Sequence, residues 1–248
     1  MVDIRATFLW FVVLLAALVW LKREINGRLL HIGWLLFHHE QAAVLLYFLI
    51  MLPGVIIHEF SHLAVATLLG VRAGGLSLWP RIQRDGLQLG SVQVARTDVV
   101  RESLIGLAPL IGGSLVVLVI AGLGFEIPLE GQVDLMTRLA GVIQDAQVLF
   151  QRPNAILWLY LIFAISNAML PSPSDRQPWR PLIIFVGLMA ILVVLLNGGL
   201  PQVPNEFVAG FTRAINLLSL AFAFTFLVDL LFIAGILAIE QGLMAFGR

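Results

Sequence analysis

Cysteine is absent from the 248-residue chain. That excludes a disulfide framework and a thiolate metal site, so any metal has to be held by His, Asp, Glu or Asn. Charge is scarce as well. Asp, Glu, Lys and Arg make up 12% of the residues, about half their share in soluble domains. No Lys or Arg occurs between Arg28 and Arg72. The 15 basic and 15 acidic residues cancel, which leaves no electrostatic argument for nucleic acid as a partner. Hydrophobic residues supply 60% of the chain and mean hydropathy is +0.97, so composition places it in a lipid bilayer.

Within the apolar run from Ala42 to Leu69 stands one polar motif, His58-Glu59-Phe60-Ser61-His62. On a helix the i, i+4 spacing puts both imidazoles on one face, where they can share a metal ion, with Glu59 one step round. An ionisable group at the centre of a membrane helix costs about 2.5 to 3.5 kcal/mol. A bound divalent cation would offset three of them in one turn. The pattern is that of a zinc peptidase, with His58 and His62 as metal ligands and Glu59 as general base.

Apolar runs predict an α-helical polytopic membrane protein with about six transmembrane helices: Ala6–Leu21, Ala42–Leu69, Ser103–Phe125, Asn154–Leu170, Pro181–Leu196 and a last stretch from Phe207 to Phe246. The last stretch reads either as one long helix or as a span plus a surface segment. Pro53-Gly54 predicts a kink that opens a polar pocket just before the motif. Small residues around Ala108-Pro109 and Gly112-Gly113-Ser114 predict a close helix-packing face. His31, His38, His39 and Glu40 lie beside the first span and read as interfacial groups. Asp229 is the other acid inside the membrane frame, explained equally by pairing with a neighbouring helix and by function.

Residues 71–101 form the long polar interlude after the motif. Alternation in Leu76-Ser77-Leu78-Trp79, Leu87-Gln88-Leu89 and Val92-Gln93-Val94, with Asp85-Gly86 as a turn signal, predicts a small β-hairpin region of two or three strands, with a bulge or further turn at Gly90-Ser91. Residues 130–151 mix Val133, Met136, Leu139 and Val142 with charged and amide residues, which predicts an amphipathic helix on the membrane surface. With six spans, the side that receives the hairpin and the loop around Asp175 collects the larger share of the 15 Lys and Arg, so the positive-inside rule puts both in the cytoplasm. Lys22, Arg23 and Arg28 after the first span argue for the opposite orientation. Either way, the exit of the motif helix and the Asp175 loop share a side.

Two histidines leave a catalytic zinc short of one protein ligand, and the sequence offers Asp175 or Asp229 within the membrane frame. Here a resemblance enters. His58-Glu59-Phe60-Ser61-His62, the β region after it, and Asn167-Ala168-Met169-Leu170-Pro171-Ser172-Pro173-Ser174-Asp175 resemble the site-2 proteases, a family of intramembrane zinc metalloproteases with an Asn-x-x-Pro stretch leading to Leu-Asp-Gly. Ala108-Pro109-Leu110-Ile111-Gly112 resembles the family's Gly-Pro segment. The likeness covers a core of about 42–181 within a single membrane-embedded domain of 1–248. It implies that Asp175 is the third zinc ligand and that Asn167 helps to hold the substrate strand.

The chain departs from that pattern in two places. Ser174-Asp175-Arg176 stands where the family has Leu-Asp-Gly, so a cation adjoins the implied ligand, and the first proline falls one position later, at Pro171.

The implied function is regulated intramembrane proteolysis: hydrolysis of a peptide bond within or near a transmembrane helix of another membrane protein. Zinc would activate a water, Glu59 would accept its proton, and the substrate would unwind locally before attack. The family's commonest setting is a bacterial plasma membrane, with the active site here nearer the cytoplasmic face. Control would come from a regulatory membrane partner or from the hairpin and surface helix. Two other readings keep the residues and change the role. Arg176 motivates an inactive pseudoprotease that binds membrane helices, and Asp229 with the intramembrane histidines motivates a metal or proton transporter.

Overall fold

A computed structural model describes residues 4–83, 86–125, 154–197 and 204–246. Among them are six helices and four short strands. The first helix, α1 (Ile4–Phe37), continues well past the apolar run that predicted it. Leu14, Leu18, Leu21, Ile25, Leu29 and Ile32 recur every three or four residues and are all buried, so a helical stripe persists after Lys22 although the segment is no longer uniformly apolar. His38, with φ 51°, turns the chain into α2 (Glu40–Leu68).

Pro53 lies inside α2, which remains helical on both sides of it. In the adjoining turn, the Tyr160 hydroxyl donates to the Ile50 carbonyl at 3.0 Å. A partner helix thus bonds a carbonyl next to the proline. The helix stops at Gly70, whose φ of 68° favours a residue without Cβ. The N–H groups of Gly70 and Val71 close back on Thr67 and Ala66.

The polar interlude is a nested antiparallel ribbon. Outer strands β1 (Ala73–Ser77) and β4 (Ser91–Val94) pair Ala73 with Val94 and Ser77 with Ser91, and the inner hairpin of β2 (Arg81–Gln83) and β3 (Gly86–Gln88) pairs Ile82 with Leu87. The register shift lies on the β1 side, between Gly74 and Ser77, and Gly90 is the joint between inner and outer pairs. Leu78, Leu87 and Leu89 pack against the main core, which draws the ribbon onto the helices.

Asp98 starts α3 (Val99–Phe125) by accepting hydrogen bonds from the N–H groups of Val100 and Arg101, at 3.1 and 3.0 Å. Then come α4 (Ala155–Met169), α5 (Trp179–Asn197) and α6 (Asn205–Phe246), the last a single unbroken helix. Helices α2, α3 and α4 pack on one another, and α1 lies along α6. Where they meet, Ile25, Met51, Val117, Ile162, Phe163 and Ala221 are almost wholly buried. Along the α1–α6 seam, Glu240 accepts hydrogen bonds from Arg28 at 2.7 Å and His31 at 2.6 Å, so His31 serves a helix contact.

The chain is therefore a helical membrane protein. Among the described residues three helices, α2, α3 and α6, are long and apolar enough to cross a bilayer, fewer than the six expected. The apolar helices α4 and α5 are shorter, and the apolar part of α1 is cut by Lys22-Arg23-Glu24. Along α5, Ile183, Phe185, Leu188 and Leu195 are largely exposed, as suits a lipid-facing surface. The surface helix expected over 130–151 lies outside the described residues.

Candidate metal centre

The His-Glu-x-x-His segment sits in the C-terminal half of α2, past Pro53, with Glu59 and His62 buried and His58 nearly so. Each imidazole is fixed by a backbone carbonyl of a different neighbour. His58 Nδ1 donates to the Ala168 carbonyl on α4 at 2.7 Å, and His62 Nδ1 donates to the Ile105 carbonyl on α3 at 2.8 Å. A carbonyl can only accept, so both rings carry their proton on Nδ1. This leaves both Nε2 lone pairs free, and they face each other at 3.2 Å. Two lone pairs at that distance repel unless a proton or a cation lies between them.

Asp175 completes the group. Its carboxylate oxygens lie 3.5 Å from His58 Nε2 and 3.3 Å from His62 Nε2. Zinc bonds to nitrogen and oxygen of about 2.0 to 2.2 Å give tetrahedral edges of about 3.3 to 3.6 Å. The 3.2 Å between the two Nε2 atoms is close to such an edge, the Asp175 contacts of 3.3 and 3.5 Å end on Oδ1 and Oδ2 respectively, and these three residues, which could hold a metal ion, form the one cluster of this kind among the described residues.

The chain reaches this geometry by ending α4 abruptly. Pro171 and Pro173 cannot continue a helix, and Leu170 turns to extended backbone. Ser172 then binds Asp175 Oδ2 through both its N–H, at 2.7 Å, and its hydroxyl, at 2.6 Å, which orients the carboxylate. Burial opposes the charge. The positive charge that must lie between the facing Nε2 atoms, together with the hydrogen bonds from Ser172, nevertheless holds the Asp175 carboxyl well below the usual carboxylate range. The site thus presents an anion. Arg176 does not contact that carboxylate: its Nε donates to the Ser172 carbonyl at 3.3 Å, and the side chain is exposed.

The small residues of α3 make the approach possible. A Cβ on Gly106 would overlap the Asp175 carbonyl, and one on Gly112 would overlap the Ser61 hydroxyl in the middle of the motif. So α3 holds both halves of the site, α2 and the Asp175 turn, at backbone distance. From the ribbon, Gly90 lies over Glu59, and a Cβ there would come within 2.7 Å of Glu59 Oε1 and 2.8 Å of its Cγ.

Asn167 and Asp229 meet elsewhere. Asn167 donates to Asp229 Oδ1 at 3.0 Å and to the Phe163 carbonyl at 2.9 Å, and Ser166 also reaches Asp229, at 3.4 Å. Asp229 is thus paired across the α4–α6 contact and is not grouped with the histidines. The sequence reading placed none of Ser172, Gly106, Gly90 and Lys22 at the site. Lys22, the sole lysine of the chain, donates from α1 to the Leu170 carbonyl at 3.3 Å and so braces the start of the Asp175 turn. Only Ser172 had a local signal, a hydroxyl three residues before an acid. No family model, curated protein or solved structure matches the chain.

Proposed function

We propose that the chain is an intramembrane zinc endopeptidase of the site-2 protease type, in which His58, His62 and Asp175 hold the metal and Glu59 is the general base. The observation that carries this reading is the facing pair of Nε2 atoms at 3.2 Å, each ring locked by a carbonyl, with a carboxylate oxygen of Asp175 within 3.5 Å of each. Zinc bound there would polarise a substrate carbonyl and make water acidic enough to be deprotonated near neutral pH.

The remaining work falls to the chain. Glu59 is 5% exposed and stands next to the histidines without belonging to the ligand group. It accepts the proton of the attacking water and returns it to the leaving amine. A substrate helix has its carbonyls bonded internally, so it must unwind to react, and the unpaired edges of the β1–β4 ribbon offer main-chain partners to the released strand. In this reading α1, α4 and α5 complete about six crossings, and the ribbon and Asp175 turn lie toward the cytoplasm.

The inactive alternative rested on Arg176, whose side chain is turned to a backbone carbonyl. The transporter alternative rested on Asp229 with the intramembrane histidines, and Asp229 is bonded to Asn167 and Ser166, away from them. Purified protein incubated with candidate membrane substrates tests the proposal. Cleavage by the wild type that disappears in Glu59→Gln and after chelation supports it; substrates left equally intact by both forms would contradict it.

A further inference from the structure

The side chain of Asn167 is 3% exposed and has spent both of its amide hydrogens. One goes to the Phe163 carbonyl in its own helix at 2.9 Å, the other to Asp229 Oδ1 on α6 at 3.0 Å. An atom flanked by two acceptors must be the nitrogen, so the network itself settles which way the amide points. Its Oδ1 is buried and has no partner among the described residues, and Asn167 immediately precedes Ala168, whose carbonyl fixes His58.

We infer that Asp229 is a positioning residue that locks the Asn167 amide, so that Asn167 presents only a hydrogen-bond acceptor, its Oδ1, to a backbone N–H of the bound peptide. This rests on the peptidase reading, in which Asn167 touches substrate. Turning over an amide held by Phe163 alone would forfeit one hydrogen bond, and with Asp229 accepting as well it forfeits two. With Asp229 accepting, turning over would set Oδ1 against a carboxyl oxygen. The lock thus reinforces the polarity of the contact that the Phe163 carbonyl begins. It also ties α6, which supplies no metal ligand, to the end of α4 that carries Ala168 and leads into the Asp175 turn.

The test uses the whole protein in lipid nanodiscs and a synthetic single-span peptide that the wild type cuts. Asp229→Leu removes the lock while leaving Asn167 in place. Asn167→Asp with Asp229→Asn rebuilds the pair with donor and acceptor exchanged, and residue 167 still shows an oxygen. Zinc per chain should equal wild type in both. Asp229→Leu should raise KM about tenfold, the worth of one lost hydrogen bond, with kcat changed less. The exchanged double variant should return KM to within about threefold of wild type, whereas Asn167→Asp alone should not. Unchanged KM in Asp229→Leu, or a double variant no better than Asn167→Asp, would overturn the inference.

A second readout needs no substrate. Melting temperatures of the two single variants and the double should be non-additive, with the exchange restoring part of the loss. Additive losses would overturn the lock. Failure of the wild type to cut any peptide would instead overturn the peptidase reading and the acceptor role with it, and the melting cycle would still judge the lock by itself.

Discussion

His58 and His62 point their Nε2 atoms at one another across 3.2 Å, and neither ring can turn away without abandoning the carbonyl that holds its Nδ1. A buried pair of acceptors in that arrangement is a source of instability that a cation relieves. Removing metal with a chelator should therefore lower the melting temperature, and excess zinc should restore it. At a zinc concentration 100 times Kd the gain is about 2.7 kcal/mol. Equal melting with and without chelator would contradict this.

Ser172 is the residue that aims Asp175, through its N–H and its hydroxyl. Replacing it by Ala removes the hydroxyl bonds to Asp175 Oδ2, to the Asp175 N–H and to Ser174 but keeps the Ser172 N–H bond, and zinc affinity should fall by about 10 to 100-fold, as for other partners of metal ligands. Competition with a chelating dye measures this, and an unchanged Kd would count against the orienting role.

Gly106 and Gly112 are close-approach sites on α3, facing the Asp175 backbone and Ser61. Neither of these neighbours is a long flexible side chain. Gly106→Ala should push the Asp175 turn away, costing about 1 to 3 kcal/mol of stability and lowering zinc content together. A variant with wild-type melting and full zinc would show that the turn yields without loss.

Gly90 should behave differently, because the atoms it would displace belong to Glu59 and Val55 and not to the ligand group. Gly90→Ala is expected to keep its zinc and to cut substrate about 100-fold more slowly, since a shift of about 1 Å in a reacting group costs that much. Zinc loss in this variant would place Gly90 in the metal site's support instead.

The start of α3 gives a pH test far from the metal. Hydrogen bonds from the N–H of Arg101, together with the Arg101 charge and the N–H of Val100, hold the exposed Asp98 carboxyl below its ordinary value of 3.8. A depressed carboxyl contributes stability above that value and loses it as pH falls through the folded pKa. Asp98→Ala should therefore melt below wild type at neutral pH, with the difference vanishing in strong acid. A difference that persists there would mean the cap acts otherwise than through charge.

Much of this architecture is written locally. The apolar runs marked α2 through α6, and the i, i+4 histidines marked one face of α2, because helix periodicity needs no knowledge of neighbours. The run of α1 past Lys22 was hidden by judging residues 22–37 on apolarity, although Ile25, Leu29 and Ile32 keep the helical stripe. The relation of Asp175 to the histidines came from a resemblance and not from spacing. Its physical causes, the bare surface of Gly106 and the Lys22 bond to Leu170, join residues distant in sequence. For the same reason Asp229 stood level with Asp175 as a ligand until its partners, Asn167 and Ser166, were in view. A buried acid shows its role only through what faces it.

The central claim is a metal held by three named side chains, and zinc content per chain tests it most directly. Wild type, His62→Ala and Asp175→Asn would be purified in metal-free detergent buffer, loaded with zinc, washed and measured by elemental analysis. The account predicts about one zinc per wild-type chain and near none in either variant. Zinc retained by Asp175→Asn, or none bound by the wild type after loading, would contradict it.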